Sequence, residues 1–190
     1  MPEIRLAATP ALAGTDIRIG ANRVRARTDL ALVSIAVSLG GEAALAAAFR
    51  KAWNLELPDA RLSRGKDQMR ALRTAPDQMM LVFPHAMPDA DPVVRAVLEG
   101  AAYTTDQTDV WAILEISGPE TLAALERLCP LDLSRDVFPV DAFARTVMEH
   151  MGAIILRTGD ETFLLMSASS SAGSFLEAVE TAYKFVEEPM

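Results

Sequence analysis

The stretch WAILEISGPETLAALERLCP, Trp111 to Pro130, decides the fold. Trp111 to Ser117 is an apolar run of strand length, and Ser117-Gly118-Pro119-Glu120 interrupts it. Leu122, Leu125, Leu128 and Cys129 then recur at helical spacing until Pro130 stops the helix. An earlier stretch has the same design. Val33, Ile35, Val37 and Leu39 alternate with small or polar residues, the period of a half-buried strand, and Gly40-Gly41 breaks it. Leu45, Ala48, Phe49, Ala52 and Trp53 then share one helical face, and Asn54 and Pro58 end that helix. Gly41 and Gly118 thus each sit between a strand and an Ala/Leu-rich helix.

Reading outward, MMLVF (79–83) is a further strand after Pro76-Asp77. Asp91-Pro92 has the look of an N-cap followed by proline at the first helical position, with Val93, Val94, Val97 and Leu98 as the apolar face and Gly100 as the stop. In the second half, 143–148 and 152–156 read as strands joined near Glu149-His150-Met151. Gly159-Asp160 turns the chain into TFLLMSA, and a last helix carries Phe175, Leu176, Val179, Tyr183 and Val186 inward. Each half therefore reads strand, helix, strands, helix. The expected fold class is α+β, two ferredoxin-like halves (about 29–108 and 109–190) in one domain, 29–190, that buries one face of every helix.

Residues 1–28 lack this periodicity and read as an N-terminal arm, in which Pro2, Pro10, Gly14 and Gly20 disfavour one long helix. Arg18, Arg23, Arg25 and Arg27 alternate with apolar or small residues. An extended segment of that pattern has a basic face, suited either to docking on a partner or to lying solvated on its own domain; both readings stay open.

Composition excludes several classes. A net charge of −8 argues against a nucleic-acid surface, although Arg61, Arg64, Lys66, Arg70 and Arg73 cluster locally, as on a solvated loop or strand edge. One cysteine forms no internal disulfide, which suits a cytoplasmic protein. No segment approaches the roughly 20 apolar residues of a membrane span. The two histidines, His85 and His150, and Cys129 do not make a metal set. GANRVRA and SLGGEAAL lack the spacing of a dinucleotide or P-loop site. The serines of SASSS (167–171) lead into a helix without a nucleophile elbow, with Ser170 or Ser171 as its N-cap. Cys129 closes a buried stripe and reads as packing. No catalytic, cofactor-binding or metal residue is expected on this chain.

The span from Ser117 to Ser170 resembles the gamma subunit of heterotetrameric sarcosine oxidase. Ser117-Gly118-Pro119, Cys129-Pro130-Leu131-Asp132-Leu133, Phe138-Pro139-Val140 and Phe163-Leu164-Leu165 carry the likeness. Gly41 to Leu45 and Pro76-Asp77-Gln78 extend it to about residues 30–186. The family is more distantly similar to the folate-binding domain of glycine-cleavage aminomethyltransferases, which implies an aminomethyltransferase-like arrangement of the doubled fold. The resemblance implies an accessory role beside alpha, beta and delta subunits. FAD, FMN, NAD, tetrahydrofolate and zinc would then belong to those partners and none to this chain. It further implies a complex that oxidatively demethylates sarcosine to glycine, transfers the one-carbon unit to tetrahydrofolate or releases formaldehyde, and forms hydrogen peroxide. Folate-dependent relatives place an aspartate shortly after a glycine in a strand pair; here Gly152-Ala153-Ile154-Ile155-Leu156 has no carboxylate. The same role in an N-methylglutamate dehydrogenase, and a free-standing folate-binding or methyl-transfer protein, are the alternatives.

Overall fold

The structure, a computed structural model, describes residues 9–86 and 88–187. The chain begins with a hairpin, β1 (Asp16–Ile19) and β2 (Asn22–Ala26). The first half follows: β3 (Leu30–Val37), α1 (Glu42–Trp53), β4 (Arg64–Lys66), β5 (Met69–Ala75), β6 (Gln78–Pro84), α2 (Ala90–Leu98) and β7 (Ala102–Asp106). The second half comprises β8 (Trp111–Ser117), α3 (Thr121–Leu128), β9 (Phe143–Met148), β10 (Met151–Gly159), β11 (Thr162–Ala168) and α4 (Ala172–Glu187).

Among the described residues the strands form two antiparallel sheets, ordered β1-β2-β8-β11-β10-β9 and β4-β5-β6-β3-β7. These orders are copies of one another. β3, β5, β6 and β7 stand in the five-stranded sheet as β8, β10, β11 and β2 stand in the six-stranded one. Both arrangements are the ferredoxin-like split βαβ.

The strands read as continuous apolar runs because both faces are covered. Leu30, Leu32, Leu72, Met80 and Val82 of one sheet meet Ile113, Phe143, Ile154, Leu156, Leu164 and Met166 of the other. The alternate residues face the helices. Ala31, Val33, Ile35, Met79 and Leu81 lie against Leu45 and Phe49 of α1 and Val94 and Leu98 of α2. Leu114, Ile116, Ile155, Phe163 and Leu165 lie against Leu125 of α3 and Phe175, Val179 and Tyr183 of α4. The period of two thus separates the sheet–sheet core from two sheet–helix cores.

Much of the stretch read as an arm is sheet, and its residues 1–8 lie outside the described residues. Gly20, with φ +56°, supplies the positive φ wanted at the first central position of a two-residue hairpin turn between β1 and β2. Val24 enters the core, with Ile17, Ile19 and Ala26 packed against it. Arg18 is exposed, and the other three arginines are taken up within the domain. Arg23 donates to both carboxylate oxygens of Asp16 (2.7 and 2.6 Å), and Arg25 to Glu115 (2.8 Å). Arg27, nearly buried, joins Glu115 (2.6 Å), Asp29 (2.8 Å) and Gln68 (2.8 Å). Asn22 fastens the hairpin to both helices of the second half. It accepts from the Glu120 N–H (3.0 Å) at the start of α3 and donates to Glu187 (2.8 Å) near the end of α4. Gly118, at φ +131°, lets this asparagine approach: a Cβ there would lie 2.7 Å from the Asn22 Cα. The four- and five-residue alternations were too short to register as strands, and a buried asparagine stands where an apolar residue would have signalled one.

Smaller differences have local causes. Leu39 lies beyond the end of β3 at Val37, in the turn it shares with Gly40 (φ +73°), and is fully exposed. α2 begins one residue before Asp91, which is not its N-cap but a first-turn residue paired with Arg95. Val94 and Leu98 are its inward residues, whereas Val93 and Val97 face out. Ser169–Ser171 forms a short 3-10 turn running straight into α4, and its recorded hydroxyl bond is from Ser169 to the Asp109 carbonyl (2.7 Å) rather than a cap from Ser170 or Ser171.

Candidate functional site

The family-like motif lands on a loop built around one charged side chain. Arg157 ends the aliphatic run of β10 and is completely buried. With no carboxylate partner among the described residues, it donates to the carbonyls of Leu133 (3.1 Å), Phe138 (2.7 Å), Asp160 (2.6 Å) and Gly159 (3.3 Å). Its guanidinium lies 5.0 Å from the centroid of the Phe163 ring. A buried guanidinium needs its donors satisfied, and here loop carbonyls do so, which fixes the path of the chain from Cys129 to Asp141. Sequence reading missed this residue. The available signal was an arginine directly after Ala153-Ile154-Ile155-Leu156, where an apolar residue would have continued the run.

The loop forms one wall of an open groove of about 800 Å³, and Asp59–Leu62 forms part of the opposite wall. Leu62, Leu131, Phe138, Pro139 and Ala144 line it, and Val137 at its rim is 62% exposed. The strand-like pairing of Arg61–Ser63 with Asp141–Phe143 closes one end: the Phe143 N–H donates to the Arg61 carbonyl (3.0 Å) and the Ser63 N–H to the Asp141 carbonyl (2.8 Å). β9, beside the groove, is the edge strand of the six-stranded sheet.

Two of the three carboxylates at this groove are engaged in loop structure. Asp132 accepts from the Ser134 N–H (2.9 Å), and Asp59 from those of Arg61 (2.8 Å) and Leu62 (2.7 Å). Hydrogen bonds from Ser134 lower the Asp132 pKa, and those from Leu62 and Arg61 lower that of Asp59. Both acids are therefore ionised at neutral pH and poorly matched to proton transfer. The groove is otherwise mostly apolar, with Val137 exposed at its rim and the β9 edge beside it.

The remaining candidates stay apart. Cys129 is buried at the C-terminal end of α3, where its N–H donates to the Leu125 carbonyl (3.0 Å); burial raises its thiol pKa and disfavours the thiolate. Arg127 turns to another face and lies over Phe185, 5.0 Å from the ring centroid. His85 follows β6 and meets Asp89 at 2.6 Å, whereas His150 is exposed in the β9–β10 turn. Ser167 is buried and donates to the Gly152 carbonyl (3.0 Å). GANRVRA is the β1–β2 turn and β2, and SLGGEAAL is the passage from β3 to α1. The basic cluster lies on and around β4 and β5, where Arg70 pairs with Asp141 (3.0 Å) and Arg73 with Glu42 (2.5 Å).

The segment 152–156 does not fit a folate amine. Ala153 and Ile155 pack toward the helices, and Ile154 and Leu156 between the sheets.

No family model matches the chain. A curated relative from Corynebacterium sp. (strain P-1), named sarcosine oxidase subunit gamma, is 25% identical over 116 residues. The match spans 60% of this chain and 57% of the relative's own length. Among solved structures, a chain of the heterotetrameric sarcosine oxidase from Corynebacterium sp. U-96 superposes with a TM-score of 0.81 at 20% identity, covering 98% of this chain and 99% of that one. The glycine cleavage system aminomethyltransferase T from Bartonella henselae matches with a TM-score of 0.57 at 15% identity, over 82% of this chain and 44% of that one. The expected aminomethyltransferase-like α+β fold and the resemblance to gamma subunits both stand.

Proposed function

We propose that this chain is the accessory gamma subunit of a heterotetrameric sarcosine oxidase and contributes surface rather than chemistry. The observation that carries this reading is the 116-residue likeness to a chain named as that subunit, and the full-length structural likeness supports it. In this reading the partners are alpha, beta and delta subunits, which hold FAD, FMN, NAD, tetrahydrofolate and zinc. The complex demethylates sarcosine to glycine in the cytoplasm, passes the one-carbon unit to tetrahydrofolate or releases formaldehyde, and forms hydrogen peroxide. The groove between the Arg157-held loop and Asp59–Leu62 is the face we assign to docking.

The likeness to an aminomethyltransferase favours a second reading, a free-standing folate-binding or methyl-transfer protein. The aliphatic faces of β10 weigh against it. Calorimetric titration of the isolated chain with tetrahydrofolate separates the two. An accessory subunit shows no binding at micromolar concentrations, whereas saturable binding with methyl transfer by the chain alone overturns the proposal.

A further inference from the structure

β9 is an edge strand, and part of its outer edge is already paired. Arg61–Ser63 runs antiparallel to it, with Leu62 opposite Ala142. The Phe143 N–H, which donates to the Arg61 carbonyl, therefore points away from β10. By the alternation of an antiparallel ladder, the N–H and C=O groups of Arg145 and Val147 point the same way. These two N–H groups have no acceptor among the described residues, and the Val147 carbonyl receives only a long bond (3.4 Å) from the Thr146 hydroxyl. The segment that begins the pairing does not continue it. The Asp59 carboxylate draws the Arg61 and Leu62 N–H groups into a turn (2.8 and 2.7 Å), and no pairing extends past Arg61 and Phe143.

Edge strands ordinarily carry protection against added chains. β4 has only three residues, with Arg64 and Lys66 among them, and β1 carries Asp16 and Arg18. β9 has six residues and one charge, Arg145, and Val147 is 50% exposed. The groove of about 800 Å³ opens on the helix side of this edge, at Ala142 and Ala144. Its charge is one-sided: Asp59, Asp132 and Asp136 stand against Arg61 alone. Asp136 is exposed and has no ion-pair partner among the described residues.

We propose that the β9 edge takes up an extended segment of a larger subunit as an added strand, antiparallel like Arg61–Ser63, whose alternate side chains enter the groove as apolar residues and one lysine or arginine directed at Asp136. This rests on the subunit reading and adds the mode of docking and the chemistry of the docked segment. Backbone bonds at Arg145 and Val147 supply affinity, and Leu131, Phe138 and Pro139 receive the apolar side chains. The aspartates favour a basic segment and reject an acidic one.

Hydrogen exchange at single amides, measured on the chain alone and in its complex with the larger subunits, tests the pairing. The Arg145 and Val147 amides should exchange about tenfold or more slowly in the complex, whereas those of Ala144 and Thr146, which face β10, change little. Val147→Pro removes an outward donor and spares the β9–β10 ladder, so it should lower recovery of the larger subunits about tenfold; an unchanged thermal melt of the isolated variant shows that it is folded. Asp136→Lys should lower recovery about fivefold and Asp136→Asn less. Recovery unchanged by Asp136→Lys overturns the basic segment. A complex in which Arg145 and Val147 exchange as fast as in the free chain, or in which protection falls on the β7 edge instead, overturns the added strand and leaves the subunit reading standing. Failure of the unaltered chain to join any larger subunit overturns both.

Discussion

β7 and β2 occupy the same place in the two halves, beside β3 and β8, but they are held by different means. β7 follows α2 after a short turn through Glu99 and Gly100, so its own half delivers it, and it needs few side-chain contacts; Tyr103 is 73% exposed. β2 comes from the other end of the sequence. Closing that long loop costs more entropy than the turn after α2. The offset is specific: buried Asn22 and Val24, and the Arg25–Glu115–Arg27 network. A strand supplied locally can be plain, and one supplied from a distance must be fastened.

The largest test of that difference removes the imported strand. Deleting residues 2–27 uncovers the edge of β8 and strips Val24, Ile17 and Ile19 from the core. At about 1.5–3 kcal/mol per buried apolar side chain, the loss rivals the whole stability of a domain. The expected result is loss of the cooperative thermal transition followed by circular dichroism; a truncated chain that melts as sharply as the full one would show that the hairpin is an arm after all.

A finer test uses the paired glycines. At Gly118, with φ +131°, a methyl group would meet backbone as well as side chain of Asn22, so Gly118→Ala should cost about 2–4 kcal/mol. At Gly41 the φ is −85° and the nearest obstacle is the Ser38 hydroxyl, which can rotate away, so Gly41→Ala should cost about 1 kcal/mol or less. Equal costs in urea titrations would remove the asymmetry.

The smallest effect concerns the floor under the imported hairpin. Tyr183 of α4 and Thr121 of α3 share a buried hydrogen bond (2.8 Å), and burial pushes the Tyr183 phenol up to about 12 from an ordinary value near 10. The folded state then holds a proton that the unfolded chain has released. Stability is therefore complete below pH 10 and falls as pH rises toward 12, by an amount on the order of 2 kcal/mol. Tyr183→Phe should flatten that decline; an identical pH dependence in both proteins would place the titration elsewhere.

The doubled order of elements was legible because strands buried on both faces, such as 111–117 and 162–168, leave unbroken apolar runs that glycine and proline punctuate. β5 and β7 were not legible. Arg70 and Arg73 interrupt the one, and the other is an exposed edge of threonines and Tyr103. The β1–β2 hairpin was not legible as sheet because its arginines suited a docking or a solvated arm equally well, whereas Arg23, Arg25 and Arg27 pair with Asp16, Glu115 and Asp29. The groove beside β9 was hidden for a different reason. It depends on Arg157 gathering carbonyls from residues 133, 138, 159 and 160, and carbonyl positions leave no trace in side-chain pattern.

Assembly is the most direct measurement of the central claim. The affinity-tagged chain, co-expressed with candidate larger subunits, should be recovered with them in equal amounts, as a complex with a flavin spectrum and sarcosine-dependent peroxide formation. The chain purified alone should show neither. Recovery of the tagged chain without partners, or sarcosine turnover by the chain alone, would contradict the account.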